Sequence, residues 1–388
     1  MGAAMGVNPR RRQKNLRTIR LGRILSIPIG VHYSWFPIFV LLTWVLAVSY
    51  YPSECQGWPM VLCWLMGALT AILLFAAVLV HELGHAAVAL RYRVPVRSIT
   101  LFIFGGVAQI DEEPPSAIAE FWIAVAGPLV SFILAAVLSL LQAALSGFAP
   151  LLALAKYLAY VNGTLALFNL IPGFPLDGGR VFRAVVWAVT HDLRRATLVA
   201  ANLGRGVSLL FVVLGVWQMV LGNMGTGLWM TFIGWFLETT ARAEVQRQEA
   251  QGLLAGRRAV EAMDADPASI GAGTVLQHLK DRSIRVAGQH SFVVEADGHS
   301  VGLLTPHQIK GIPQSEWPTT PAGRIMIPVA RAKSIGPDSD LWIVLQEMDR
   351  SGVTQLPVMA NGRIVGMLTR EDIMRFLRTL REKPCYSG

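Results

Sequence analysis

The chain has 388 residues, of which 53% are hydrophobic and 15% charged, and its mean hydropathy is +0.47. Soluble globular domains carry about 25% charged residues, so this composition excludes a wholly soluble enzyme and points to the membrane. The net charge of +9 does not indicate nucleic acid, because Arg10, Arg11, Arg12, Lys14, Arg17, Arg20 and Arg23 crowd one end just before an apolar run, as a cytoplasmic flank does.

A hydrocarbon core is crossed by about 20 apolar residues in helical form. On that measure Ile27–Tyr51 and Pro59–Leu90 are the first two spans, and Ala117–Leu145 is the third. Tyr157 to about Val189 is a fourth, interrupted by "IPGFPLDGGR", and Gly206–Leu221 and Gly227–Thr240 are a shorter closing pair around "GNMG". Arg91, Arg93, Arg97, Arg180, Arg183, Arg194, Arg195 and Arg242 then fall on one side with the N-terminal block. By the positive-inside rule both termini are cytoplasmic, which six crossings allow.

From Ile24 to Leu90 there is no Lys or Arg, and the only acids are Glu54 and Glu82. Glu82 belongs to "HELGH", residues 81–85, inside an apolar run where an ionisable group costs about 2.5 kcal/mol or more and usually marks a function. His81 and His85 are four residues apart, on one face of a helix. That spacing lets both grip one Zn²⁺, with Glu82 placed as general base toward a water that the ion activates. His81 precedes Arg91 by ten residues, about 15 Å of helix rise, so the site lies within the cytoplasmic half of the bilayer. The cysteines Cys55, Cys63 and Cys385 form no CxxC pair, so the metal is held by nitrogen and oxygen.

A catalytic zinc has three protein ligands. Glu120, Asp177 and Glu238 are the candidates for the third. The first and last sit near helix ends and read as interfacial. Asp177 follows Pro172, Gly173 and Pro175 and precedes Gly178 and Gly179, and non-helical backbone at membrane depth lines a protein cavity or water. Asp177 is therefore the expected third ligand. Asn169 is close enough in sequence to donate to a substrate carbonyl or oxyanion, whereas Asn162 reads as a helix-packing amide. "FIFGGVAQI", residues 102–110, with Gly105 and Gly106, is either an interfacial loop or a re-entrant hairpin whose edge strand would hold an extended substrate. His32 and His191 read as interfacial or capping residues, and His278, His290, His299 and His307 as surface residues.

After Ala241 the chain is ordinary soluble sequence, with Ala241–Val260 a helical or flexible linker. "DGHSVGLLTPHQI" (Asp297–Ile309) aligns with "NGRIVGMLTREDI" (Asn361–Ile373) at an offset of 64, and Met263 matches Met326. Each unit reads as two strands around an Asp-Gly or Asn-Gly turn, followed by a capped helix. The pair predicts a pseudo-symmetric α/β module.

"HELGH" at 81–85, "FGGVAQ" at 104–109, "AGPLVS" at 126–131 and "NLIPGFPLDGGR" at 169–180 together resemble the site-2 protease family of intramembrane zinc metalloproteases. "IPIGVHYSW" is similar to the N-terminal segment of its prokaryotic branch. The resemblance implies one Zn²⁺ per chain on His81, His85 and Asp177, Glu82 as catalytic acid/base, Asn169 as a substrate or oxyanion contact, and a transmembrane protein as substrate. The tail resembles a tandem pair of CBS domains. That likeness implies ATP, ADP or AMP at Thr305, Thr369 and Asp372, with Gln308 standing where the first repeat would carry the Asp. A structural or dimerising role for the tail stays open beside it. The expected fold is a polytopic α-helical membrane protein of about six transmembrane helices with a C-terminal α/β tandem CBS domain. Its division is 1–23 basic N-terminus, 24–240 membrane protease, 241–260 linker and 261–388 CBS pair, with repeats at about 261–312 and 322–380. It would lie in a prokaryotic cell membrane. A transporter or channel gated by its tail is the alternative, but it gives no reason for a glutamate inside the HExxH frame.

Overall fold

The computed structural model describes residues 18–103, 105–110, 113–145, 147–279 and 291–382. It divides into two compact units at Val245/Gln246.

The first unit opens with β1 (Thr18–Ile24) and β2 (Ile27–His32), an antiparallel hairpin turned at Leu25 and Ser26, both at positive φ. The expectation that the first span begins at Ile27 is corrected here. Ile27, Ile29 and Val31 are buried strand residues, and the apolar run they start becomes helical only after Ser34. The spanning helix is Trp35–Glu54, made of α1 (Trp35–Val45), a π-helical turn Leu46–Tyr50 and α2 (Tyr51–Glu54). Arg20 and Arg23 lie in β1, and the rest of the N-terminal basic block lies outside the described residues.

The helix α3 (Met60–Arg91) follows, then β3 (Val96–Phe102) and β4 (Gly105–Ile110). The sheet order is β1-β2-β3-β4 with β2 and β3 parallel, so the α1–α3 excursion is the crossover that a parallel pair requires. Of the two readings of residues 102–110 the strand is the observed one, and β4 is an edge of the sheet. Ile27 and Ile99 pack on Ala86 of α3, next to His85.

The helices α4 (Ala117–Ala144) and α5 (Ala149–Asn169) form an antiparallel pair beside α3. α5 begins before the expected Tyr157 and ends at Asn169. Asp177–Thr190 is a separate helix, α6, because Pro172, Pro175 and the turn between them break the path. α7 (Leu193–Val220) and α8 (Met224–Leu254) are both longer than the expected closing pair. A Cβ on Gly227 would meet Met219, and one on Gly234 would meet Ser208 and Val212 at 2.7 Å, so the two helices run antiparallel in close contact. Among the described residues five helices are long and apolar enough to cross a membrane, namely Trp35–Glu54, α3, α4, α5 and α7. α8, expected as the sixth, falls short because Gly, Thr and Glu238 dilute its apolar first half.

The second unit carries the sheet β5 (Ser269–Gly271), β6 (Phe292–Ala296), β7 (His299–Leu304) and β8 (Ile327–Pro328). Short helices α9 (Pro306–Lys310) and α10 (Ala322–Ile325) precede β8. Helix α11 (Leu341–Ser351), the hairpin β9 (Gln355–Ala360) and β10 (Arg363–Thr369), and α12 (Arg370–Glu382) complete it. Both hairpin turns have positive φ at both residues, Asp297-Gly298 and Asn361-Gly362, the geometry those pairs favour. The repeats exchange their first segments: β8 pairs with β7, while Asp264 bridges to Met367 of β10. Met326 accordingly lies over Gly302 and Met263 over Gly366.

Leu254, Leu341, Met348, Leu356, Val358, Leu368 and Ile373 form one of its cores. Leu368→Ala should destabilise this unit by about 2–5 kcal/mol. Pulse proteolysis across a urea series, read on C-terminal fragments, measures the loss.

Candidate metal centre

α3 starts after Pro59, is apolar over its whole first two-thirds, and carries His81 and His85 one turn apart. Both imidazoles are buried, and their Nε2 atoms stand 3.2 Å apart. Each ring is fixed from behind by α4. His85 Nδ1 donates to the Ile123 carbonyl at 2.7 Å, and His81 Nδ1 lies 2.9 Å from Ser131 Oγ. A carbonyl offers only lone pairs, so His85 carries a proton on Nδ1, which leaves Nε2 as its ligand atom toward the centre.

Asp177, the first residue of α6, brings Oδ2 to 3.3 Å from His81 Nε2 and 3.2 Å from His85 Nε2. The turn before it is tightly wound. A Cβ on Gly178 or Gly179 would strike the backbone of Leu170 or Gly173, and Phe174-Pro175 is cis. His81, His85 and Asp177 are the one group of possible metal ligands that converges among the described residues. Donor atoms each about 2.0–2.1 Å from a tetrahedral ion lie about 3.3 Å from one another, which is the spacing observed. The donor set therefore fits zinc.

α4 passes closest at Gly127, where a Cβ would collide with His85 Nε2 and stand 2.7 Å from His81 Nε2. Gly84 lets the two helices meet, since a Cβ there would be 3.0 Å from the Ala126 carbonyl. On the other side of α3, β4 approaches Glu82: a Cβ on Gly106 would overlap its side chain and lie 3.1 Å from Oε1. Gly105 has φ +129, which a side chain rarely adopts. Asn169 Nδ2, at the end of α5, is 3.5 Å from His81 Nε2.

The other two candidates for third ligand are elsewhere. Glu120, in the first turn of α4, is fully buried and paired with Arg183 of α6. Arg183 is thus no free flanking charge. Glu238 is held by Arg205, Arg242 and Ser208. Asn162 donates to the Leu158 carbonyl, as a packing amide does. His32 bonds Ser34 Oγ and His191 ends α6 in the left-handed region. His278 and His299 are exposed, while His290 and the His307 side chain lie outside what is described. In the second unit Thr369 Oγ1 donates to Asp372 Oδ2 at 2.6 Å, and Thr305 with Gln308 makes the same capping box.

Over 369 residues the chain is 38% identical to Rip3 of Mycobacterium tuberculosis, provisionally named a zinc metalloprotease, covering 94% of this chain and 93% of the relative. The chain belongs to peptidase family M50. The model of that family, "Peptidase family M50", matches residues 69–213, and the CBS domain model matches 322–379. A Synechocystis protein, sll0528, also provisionally named a zinc metalloprotease, is 32% identical over 367 residues, covering 93% of this chain and 96% of its own. The solved site-2 protease of Methanocaldococcus jannaschii is 31% identical, with a TM-score of 0.42, covering 59% of this chain and 95% of its own. This M50 chain is an integral membrane protein and a site-2 protease-type zinc metalloprotease that acts on membrane proteins, and the transporter reading is set aside.

Ser131, the Ile123 carbonyl and Gly127 were not assigned roles from the sequence. The available signal was their spacing, four residues apart on one face of an apolar helix. Gly127→Ala should weaken zinc binding about tenfold or more, the size of loss seen when ligand-supporting groups are altered. Competition with a calibrated zinc chelator measures it.

Proposed function

We propose that His81, His85 and Asp177 hold the zinc of this protease and that Glu82 is its catalytic acid/base. The observation that carries this reading is the approach of three lone-pair donors to 3.2–3.3 Å of one another with a carboxylate beside them and a sheet edge against that carboxylate. Bound zinc would lower the pKa of a water and polarise the scissile carbonyl. Glu82 takes one proton from the attacking water as its oxygen bonds to the carbonyl carbon. It gives that proton to the leaving nitrogen as the C–N bond breaks. Asn169 Nδ2 is placed to donate to the carbonyl oxygen. The substrate segment, unwound from its helix, lies along β4 by strand addition, where Gly105 and Gly106 let its backbone come close to Glu82.

The domain division of the sequence reading is retained in this proposal, with α8 as a sixth crossing packed against α7, both termini in the cytoplasm and a prokaryotic cell membrane as the location. Arg91, Arg93 and Arg97 around the α3–β3 turn and Arg194 and Arg195 in the first turn of α7 support that orientation. In the CBS pair, Thr369 with Asp372, and Thr305 more weakly, contact the ribose and phosphates of an adenine nucleotide that modulates cleavage, and the pair provides a homodimer contact. The capping box at Thr369 supports this by fixing a helix N-terminus with its hydroxyl and carboxylate already in place.

Zinc per chain in the detergent-purified protein should be near one in wild type and Glu82→Gln and clearly lower in Asp177→Asn. Glu82→Gln should lose about 10²–10⁴-fold in peptide cleavage. Cleavage by that variant at the wild-type rate would sink the assignment of Glu82. For the tail, titration calorimetry of the full chain with ATP, ADP and AMP should give binding heat that Asp372→Ala abolishes. No heat with any of the three ends the nucleotide reading.

A further inference from the structure

One buried charge pair beside the metal centre takes no part in the chemistry above. Glu120 is 0% exposed and Arg183 is 7% exposed. Arg183 Nε donates to Glu120 Oε1 at 2.7 Å and Nη2 reaches the same oxygen, while Oε2 of Glu120 has no hydrogen-bond partner among the described residues. The guanidinium also lies over the Phe174 ring, 5.2 Å from its centroid, and Nη1 is 3.9 Å from Glu244 of α8.

These contacts join the two halves of the ligand set. Glu120, Ile123, Gly127 and Ser131 follow one another at three- and four-residue steps along α4, so they share a face. The last three of them fix or cradle the two histidines. Arg183 stands on α6, whose first residue is Asp177, and Phe174 belongs to the turn that delivers Asp177. Arg183–Glu120 is an ion pair that ties α4 to α6. A buried ion pair is replaceable by apolar groups without loss of stability, so stability alone does not account for it. What apolar groups would not reproduce is the direction of two N–H bonds to a single oxygen.

We propose that Glu120 and Arg183 are a positioning pair that sets the third ligand, Asp177, in register with His81 and His85. The inference rests on the ligand assignment proposed above. Neither residue touches the ligands, so the pair acts through the angle and distance between α4 and α6.

The test uses the full chain in detergent, with Arg183→Lys and the double variant Glu120→Gln/Arg183→Met. Zinc affinity is read by chelator competition, coordination geometry by the visible spectrum of the cobalt-substituted protein, and folding by the melting midpoint of the metal-free protein. The double variant, which leaves no charge buried between α4 and α6 and only the partly exposed Glu244 without its partner, should keep a metal-free midpoint close to wild type, lose about tenfold or more in zinc affinity and show an altered cobalt spectrum. Arg183→Lys retains the charge but not the two-bond geometry, and should show a smaller loss of at least threefold. Zinc affinity within twofold of wild type and an unchanged cobalt spectrum in Arg183→Lys, or in the double variant if it folds, would overturn the proposal. If the double variant does not fold, Arg183→Lys decides the matter alone. Wild-type protein without zinc would instead defeat the ligand assignment, so the two failures are distinguishable.

Discussion

Three lone-pair donors held within 3.3 Å of one another inside an apolar bundle is the constraint on which the rest of the membrane unit depends. As metal ligands, two imidazole nitrogens and a carboxylate must all turn lone pairs toward one point, with no bulk water around them. That convergence is held by the surrounding backbone. The hold is visible on every side. α4 holds both Nδ1 atoms and leaves room only for a glycine at 127. The Gly178-Gly179 turn folds down on the Leu170 and Gly173 backbone so that Asp177 enters from the opposite direction.

The sheet meets the same constraint from the substrate's side. A peptide bond in a transmembrane helix has its N–H and C=O engaged within the helix, and lipid offers no replacement partners once it is unwound. Among the described residues β4 is the edge of its sheet and Gly106 lies against Glu82, where the proposed strand addition would give those groups partners. The sheet is held there because the parallel β2–β3 pairing and the Ile27/Ile99/Ala86 contact anchor it to α3. The apolar run at Ile27, which resembles the start of a span, is therefore better understood as the middle of that support.

The sequence made the chemistry legible and the supports illegible. His81, Glu82, His85 and Asp177 stand out because charge is expensive in an apolar run, and the tandem units stand out because Asp-Gly and Asn-Gly turns recur at a fixed offset. The strand at Ile27–His32 was hidden because a buried strand and a membrane helix are both continuous apolar runs, told apart only by the pairing with β1 and β3. Glu120 and Arg183 read as flanking charges, since nothing in a linear chain shows that two residues 63 apart neutralise one another. Gly127 and Ser131 were visible as letters, but their meaning depended on which face of α4 turned toward α3. The capped helix of each tandem unit was legible from its pattern, and in the second unit Thr369 and Asp372 form that cap.

The division between what is and is not legible follows from how the site is built. Ligands are recognised by type, because few side chains bind zinc. The groups that aim them are a backbone carbonyl, a hydroxyl and a missing Cβ, and each acts through position alone. In a membrane this second class carries more weight than in water, because a misplaced polar group has no solvent to fall back on and cannot relax into hydration. The burial that makes HELGH conspicuous in the sequence is the same burial that obliges Ile123, Gly127, Ser131 and the Glu120–Arg183 pair to hold it in place.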